Sequence, residues 1–203
     1  TPTEMVSSLT ERGKKIAVEA LEAGAVDIVT KPKVGVADGL PKMLFEIRTK
    51  VKLAATVDVS RFARKQPEKL KPITTSYALD ETTDKIIALG ASTGGTEALA
   101  RILPAFPATS PGIVIVQHIP AGFSTSFAER LNSLTRLKVK EAEDNDRIMP
   151  GTCLVAPGSV AHMEVVRAGG QYRVRLRSGD KVTGHRPSVD VLFHSVARYV
   201  GKN

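Results

Sequence analysis

Residues 90–94 read Gly-Ala-Ser-Thr-Gly and place Ser92 between two glycines in the pattern G-x-S-x-G. An apolar run that ends at Leu89 precedes the pattern, and a helix-forming sequence follows it. Small flanking residues permit a sharp strand-to-helix turn that projects the serine hydroxyl beyond the sheet edge. The helix start then offers N–H groups and a positive dipole end to a developing oxyanion. Ser92 is therefore a candidate nucleophile for acyl transfer.

The same turn is also compatible with two other roles. Glycine-rich turns after a strand of a parallel sheet build dinucleotide and phosphate sites. Here Gly90, Gly94 and Gly95 miss the G-x-G-x-x-G spacing, and the lysine of a P-loop is absent. The turn alone leaves open a nucleophilic serine, a phosphate or dinucleotide site, and a purely structural turn.

A serine nucleophile needs a base, and the chain has four histidines. His118 follows the apolar run IVIVQ and is predicted to lie at the C-terminal end of the strand next to the one that ends before Ser92. Active sites of open parallel sheets lie along that edge. We interpret the remaining histidines as structural or exposed: His162, His185 and His194.

The carboxylate that would orient the imidazole is not evident in the sequence. Asp144 and Asp146 belong to the acidic stretch EAEDNDRI, which is typical of a solvated turn. Asp190 is predicted near the start of the last helix, where an acid is expected for dipole reasons alone. The triad is incomplete on this evidence.

From Lys85 onward, the sequence predicts an α/β domain with a mostly parallel sheet. Continuous apolar strands such as IIAL and GIVIVQH alternate with helices, which is typical of a sheet covered on both faces. Two alternating runs flank Gly169-Gly170 and predict a β-hairpin. An apolar helical stripe begins near Val189, with Gly201 as its stop signal.

The first 54 residues read strand, helix, strand, helix, which is too little surface to form a stable core alone. Residues 55–84 mix charges, prolines and threonines without periodicity and are predicted to be a linker. We expect more sheet before Thr1 and a strand after the last helix. The chain is therefore expected to be the middle of a longer protein.

Composition narrows the function classes. The net charge is +8, but the basic residues are scattered and aromatics make up 4% of the chain. No nucleic-acid motif is present, so an acidic protein or an anionic surface is the better expectation for a partner. The single cysteine, Cys153, cannot form an internal disulfide and is interpreted as a buried hydrophobe. Without a membrane-spanning run or a secretory signal, a cytoplasmic location is expected, with no membrane insertion.

Several separated motifs occur in one order between residues 85 and 203: IIALGASTGGTEAL, VQHIPAGFSTSFAERLN, VKEAEDNDRIMPG, LVAPG and HRPSVDVLFHSVA. Together they resemble the catalytic domain of the protein-glutamate methylesterases of bacterial chemotaxis, the CheB family. MVSSLT and ALEAGAVDIVTKP resemble the second half of the receiver domain that precedes it in the family. The resemblance implies a partial flavodoxin-like receiver over 1–54, a linker over 55–84, and a doubly wound methylesterase domain, truncated at its C-terminus, over 85–203.

The resemblance also implies residue roles in the catalytic portion. Ser92 matches the nucleophile of the family and His118 its histidine. Thr93 and Gly94 match positions beside the nucleophile, where the pocket and the oxyanion-binding helix start would lie. The aspartate of the family's triad has no counterpart in this chain.

In the receiver portion, Ser7 matches the hydroxyl residue and Lys31 the lysine that engage the phosphoryl group. The bond between Lys31 and Pro32 is the one that is usually cis in receivers. The acidic metal pocket and the phosphoacceptor aspartate of receivers have no counterpart here.

The resemblance implies hydrolysis of γ-glutamyl methyl esters on chemoreceptors, with release of methanol, and deamidation of receptor glutamines. Receiver phosphorylation would regulate this activity, and no metal or organic cofactor is expected. The implied partners are the cytoplasmic helices of methyl-accepting chemotaxis receptors and the chemotaxis histidine kinase. The alternatives are a nucleotide- or phosphate-binding module and a catalytically dead docking fragment. Because the triad aspartate is missing, the chain alone is expected to be nearly inactive.

Overall fold

The structure is a computed structural model that describes residues 1–8, 10–31, 36–56 and 85–201. The strands are β1 (Glu4–Ser7), β2 (Asp27–Thr30), β3 (Ile86–Ala91), β4 (Gly112–Gln117), β5 (Lys138–Glu141), β6 (Thr152–Val155), β7 (His162–Ala168) and β8 (Gln171–Arg177). The helices are α1 (Glu11–Glu22), α2 (Val36–Ala54), α3 (Gly95–Ile102), α4 (Ser124–Leu134) and α5 (Val189–Tyr199). Most of the predicted linker and Pro32 lie outside the described residues.

The central sheet has the order β3-β4-β6-β5, and every pair in it is parallel. All six residues of β4 are buried, as expected for a strand that is covered on both faces. The predicted parallel sheet is therefore confirmed.

Alternate residues of β4 belong to two different apolar cores. Ile113 and Ile115 pack in the core that includes Leu99 of α3 and Phe127 of α4. Val114 and Val116 pack in the other core, together with these residues of the hairpin and α5: Met163, Val165, Val174 and Leu192. The sheet thus lies between a layer of two helices and a layer formed by the β7–β8 hairpin and α5.

The hairpin turn is formed by the two glycines that predicted it. β7 and β8 pair in antiparallel fashion with Ala168 opposite Gln171. Gly169 and Gly170 have φ angles of 58° and 75°. Two consecutive residues with positive φ are the requirement of a type I′ turn, so the prediction of a hairpin is confirmed.

Residues 1–56 form a parallel pair, β1 and β2, together with α1 and α2. α1 packs on α3 and α4. Leu21 and Ile28 accordingly belong to the same apolar core as Leu99 and Phe127. In the part of the chain that the structure describes, no helix is long and apolar enough to cross a membrane. The assignment of residues 1–54 to a receiver domain stays a prediction.

Candidate active site

The exposed Ser92 immediately follows β3 at the corner where the chain turns into α3. Gly94 caps the helix with φ 77°, a left-handed conformation that disfavours residues with a Cβ. The amide of Gly95 donates to the Ser92 carbonyl at 2.7 Å and closes the turn. Helix α3 begins at Gly95, directly after this turn.

Gly90, the first glycine of the pattern, is needed for close packing. A Cβ at this position would lie 2.3 Å from Val189 Cγ1, at the first residue of α5. The two glycines of G-x-S-x-G therefore have separate functions. Gly90 lets α5 approach β3, and Gly94 allows the turn to close.

His118 is adjacent to Ser92 because the parallel register sets Ala91 opposite Gln117. The residue that follows each strand therefore emerges at the same edge. The amide of His118 donates to the Ala91 carbonyl at 3.1 Å. The Ser92 Oγ and the His118 Nδ1 are 3.1 Å apart, within hydrogen-bond reach. The structure thus brings the predicted nucleophile and the predicted base together.

Gln117 is a residue of this site that the sequence analysis missed. Its side chain is 1% exposed, and its Nε2 donates to the Ser92 carbonyl at 2.9 Å and to the His118 carbonyl at 3.1 Å. One amide group thus links the backbone at both reacting residues. A polar residue at the end of a continuous apolar strand was the available signal.

The His118 imidazole is enclosed but only partly bonded. Its Nε2 is buried, and no hydrogen bond reaches it from the described residues. His185, which the sequence analysis left outside the site, stacks on the ring with centroids 3.8 Å apart and planes 10° apart. Burial, followed by the charges of His185 and Lys50, lowers the pKa of His118 to about 4, although Asp190 acts in the opposite direction.

The candidate carboxylates are engaged elsewhere. Asp146 pairs with Lys140 at 3.0 Å and accepts from the Glu143 amide at 2.8 Å. Asp144 accepts from the Leu176 amide at 2.8 Å. Asp190 accepts a hydrogen bond from the Thr183 hydroxyl. Asp190 is the one whose charge acts on His118, but it is bound to Thr183.

The N-terminal segment contacts the serine turn directly. The Gly94 amide donates to the Val26 carbonyl at 3.3 Å, and the Thr93 hydroxyl donates to Asp27 Oδ2 at 3.4 Å. Asp27 in turn pairs with Lys50 at 3.2 Å. Both predicted pocket residues therefore touch residues 26 and 27, and the amide of Gly94 already has an acceptor.

Ser7 and Lys31 lie together at one end of the β1–β2 pair, where the Lys31 amide donates to the Ser7 carbonyl at 2.8 Å. Ser7 is buried and its hydroxyl donates to the Gly13 carbonyl at 2.8 Å, whereas Lys31 is exposed. The two residues are neighbours through the backbone. Their part in a phosphoryl site stays a prediction.

The other two histidines, His162 and His194, form no hydrogen bond with Ser92 or His118 in the part of the chain that the structure describes. His162 is 2% exposed and bonds through Nε2 to the Asp180 carbonyl at 2.8 Å and through Nδ1 to the Ser188 amide at 3.2 Å. His194 is exposed on α5. Within the described residues, no group of three or more His, Cys, Asp or Glu side chains could hold a metal ion.

An exposed serine at a strand-to-helix corner, within hydrogen-bond reach of a neutral imidazole, can attack a carbonyl carbon. The fold and this pair define an α/β domain with a site of the serine hydrolase class. The model of the CheB methylesterase family matches residues 87–203, more than half of the chain. The chain belongs to the CheB methylesterase family.

Similar proteins agree with this membership. All of the chain aligns at 56% identity with a protein-glutamate methylesterase/protein-glutamine glutaminase of Syntrophotalea carbinolica, and at 54% with one of Pseudomonas aeruginosa. It spans 58% and 57% of the lengths of these relatives. The crystal structure of the Thermotoga maritima CheB methylesterase catalytic domain is 40% identical, with a TM-score of 0.54 over 56% of this chain and 60% of that one.

Proposed function

We propose that the complete protein is a serine hydrolase that demethylates γ-glutamyl methyl esters of chemoreceptors and deamidates receptor glutamines. The names of the relatives, protein-glutamate methylesterase and protein-glutamine glutaminase, support this substrate class. The observation that supports the chemistry is the 3.1 Å separation between Ser92 Oγ and His118 Nδ1.

In the first half of the reaction, Ser92 Oγ attacks the γ-carbonyl carbon while His118 Nδ1 takes the hydroxyl proton. The carbonyl oxygen becomes an oxyanion, which amides at the start of α3 stabilise. The tetrahedral intermediate collapses when the C–O bond to the methoxy group breaks. The imidazolium of His118 returns its proton to the leaving methanol, or to ammonia when the substrate is a glutamine.

In the second half, water attacks the glutamyl ester of Ser92. His118 takes a proton from the water and then protonates Ser92 Oγ as the acyl bond breaks. The product is a glutamate side chain on the receptor, with the enzyme restored. Both substrates use the same pair because each loses its leaving group from an acyl carbon.

The direct test is Ser92→Ala in the chain joined to the flanking segments of its Syntrophotalea carbinolica relative. Methanol release from methylated receptor membranes should fall by up to about 10⁶-fold, since the nucleophile is removed. Folding should be unchanged because the side chain is exposed and small.

Ser133→Ala is the matched control. Its exposed hydroxyl bonds to the Arg130 carbonyl within α4, away from the turn, so activity should stay near wild type. Retention of more than a few per cent of wild-type turnover by the Ser92 variant would remove Ser92 from the nucleophile role. Loss in both variants would assign the effect to folding.

We also propose that residues 1–54 are part of a receiver domain and that phosphorylation of that receiver, at an aspartate outside this chain, regulates the site. The contact between the Gly94 amide and the Val26 carbonyl supports this, because it occupies a donor that an oxyanion would use. Release of residues 26 and 27 from the turn would free that donor. Addition of a small phosphodonor to the joined protein should raise methanol release, and no response would reject the regulatory part.

The partners proposed are the cytoplasmic helices of chemoreceptors and the chemotaxis histidine kinase, which places the protein in the cytoplasm. The net charge of +8 supports an acidic partner, since a helix that presents several glutamates is complementary to a basic enzyme. Salt dependence of receptor binding tests this electrostatic component.

A further inference from the structure

The residues between β8 and α5 place a second imidazole against the catalytic base. Val182 and His185 exchange both backbone hydrogen bonds at 3.0 Å. Thr183 and Gly184 form the tight turn between them, with φ angles of 53° and 80°. His185 therefore has a fixed backbone position at the end of a small closed turn.

Bonds on both sides anchor that turn to the rest of the domain. The guanidinium of Arg186 donates to the Gly179 carbonyl at 2.6 Å and to the Ser159 carbonyl at 3.3 Å. His162, the buried first residue of β7, bonds to the Asp180 carbonyl at 2.8 Å. His185 is thus part of a segment that hydrogen bonds tie to the domain on both sides, although its own side chain is exposed.

We propose that His185 is a positioning residue for the reaction, in that its ring, stacked on His118, confines the imidazole of the base to the plane that faces Ser92. This inference rests on the proposed function of the Ser92–His118 pair. It adds a residue that was interpreted from the sequence as structural or exposed.

The geometry of His118 makes such a support necessary. Among the described residues, the ring edge makes one hydrogen bond, between Nδ1 and Ser92 Oγ, and Nε2 has no partner. A hydrogen bond at the ring edge acts in the plane of the imidazole and does not by itself set the tilt of that plane. A ring stacked at 3.8 Å and 10° opposes a change of that tilt, and a misplacement of about 1 Å can lower a rate by 10²-fold.

The charges around the two rings act in a known direction. Burial and His185 lower the pKa of His118, as does Lys50, and Asp190 raises it. Burial, Lys181 and Lys50 lower the pKa of His185. At pH 7 both rings are therefore neutral, so they stack without repulsion. Removal of His185 should let the pKa of His118 rise toward 6.5.

The test uses the chain joined to the flanking segments of its Syntrophotalea carbinolica relative and a fluorophosphonate, which reports on the Ser92–His118 pair without requiring a receptor substrate. Ser92 Oγ displaces fluoride from phosphorus, and His118 takes the hydroxyl proton. For His185→Ala we expect the maximal labelling rate to fall by about 10- to 100-fold, with little change in the half-saturating reagent concentration. Protonation of His118 slows labelling at low pH, and in His185→Ala this loss of rate should begin at a higher pH than in the wild type.

Two further variants separate positioning from a merely structural role. His185→Phe keeps a flat ring and should restore labelling to within about 3-fold of wild type. His194→Ala removes an exposed histidine of α5 and should leave both the rate and its pH dependence unchanged.

Wild-type labelling in His185→Ala, or no rescue by His185→Phe in a chain with wild-type melting temperature, would overturn the proposal. Failure of the proposed function is distinguishable. In that case Ser92 would still label and Ser92→Ala would not, but the joined protein would release no methanol from receptors.

Discussion

At the residue scale, the lowered pKa of His118 has two opposite consequences for catalysis. Because burial and His185 lower it to about 4, the imidazole is unprotonated at pH 7 and can accept the proton of Ser92. The same surroundings disfavour the imidazolium that forms once the proton has moved. A negative charge at Nε2 would stabilise that imidazolium, and this atom has no partner among the described residues.

The sequence predicted that Ser92 and His118 lie close together, but not which side chains surround them. Ser92 and His118 each follow a continuous apolar strand, and adjacent parallel strands end at one edge, so their proximity follows from local patterns. His185 and Gln117 could not be assigned in this way. The contacts of Gln117 depend on the rotamer of its side-chain amide, and those of His185 depend on a turn after β8 that returns to the site.

A first prediction concerns Gln117, whose amide joins the backbones of Ser92 and His118. Gln117→Met keeps the volume but removes both hydrogen bonds and leaves two part-buried carbonyl groups with fewer donors. The free energy of unfolding should fall by about 1–3 kcal/mol. Labelling of Ser92 should slow by about 10-fold or more, because the two reacting groups are no longer held in register.

Denaturant unfolding and labelling kinetics check this prediction. Gln171→Met, a change at the half-buried start of β8, is the matched control and should alter the stability by less than about 0.5 kcal/mol. Equal stabilities and equal labelling rates for wild type and Gln117→Met would show that the bridging amide is not needed.

At the element scale, the sequence was sufficient for the order and type of the elements. Buried strands such as β4 are continuous and apolar, and the β7–β8 hairpin alternates around two glycines, so each has a local signal. The sequence was not sufficient to predict which elements cover each face of the sheet. Whether α5 covers the face opposite α3 and α4 depends on the contact between Gly90 and Val189, which joins residues far apart in the chain.

Gly90 provides a prediction about that contact. Gly90→Ala would place a Cβ 2.3 Å from Val189 Cγ1 and should destabilise the fold by about 1–3 kcal/mol. Because α5 would shift away from β3, labelling of Ser92 should slow as well. The double variant Gly90→Ala with Val189→Ala should be more stable than the sum of the single changes predicts.

Gly179→Ala is the control for a glycine replacement, since an added Cβ there meets no atom within 4 Å. Its stability should match wild type within about 0.5 kcal/mol. Strictly additive effects of the Gly90 and Val189 changes would mean that the close approach of α5 does not require the glycine.

At the scale of the whole molecule, residues 1–56 share a core with the sheet and contact the serine turn. Leu21 and Ile28 belong to the same apolar core as Leu99, and the Val26 carbonyl accepts from the Gly94 amide. No pattern in the sequence predicted this arrangement, because residues 55–84 separate the two parts and carry no periodicity. The proximity follows from tertiary packing of α1 on α3 and α4.

The last prediction concerns the activity of the 203-residue chain alone. Within the described residues, no carboxylate reaches His118 Nε2, and Asp190 is bound to Thr183. Loss of the orienting carboxylate from a serine–histidine pair can lower turnover by about 10⁴-fold. The chain should therefore release methanol from methylated receptors about 10⁴-fold more slowly than its complete Syntrophotalea carbinolica relative.

Measured methanol release by the two purified proteins at equal concentration decides the point, with Ser92→Ala giving the background of the chain. Rates within 10-fold of each other would contradict the prediction. Asp190, whose charge already acts on His118, would then be the carboxylate of a Ser92–His118–Asp190 triad, and Asp190→Asn should abolish the activity of the chain. If the chain is slow as expected, Asp190→Asn should change its residual rate by less than about 10-fold. The same change would also remove the carboxylate partner of Thr183, next to the turn that carries His185. The pH dependence of Ser92 labelling should therefore be measured for Asp190→Asn as well, to show whether His185 still stacks on His118.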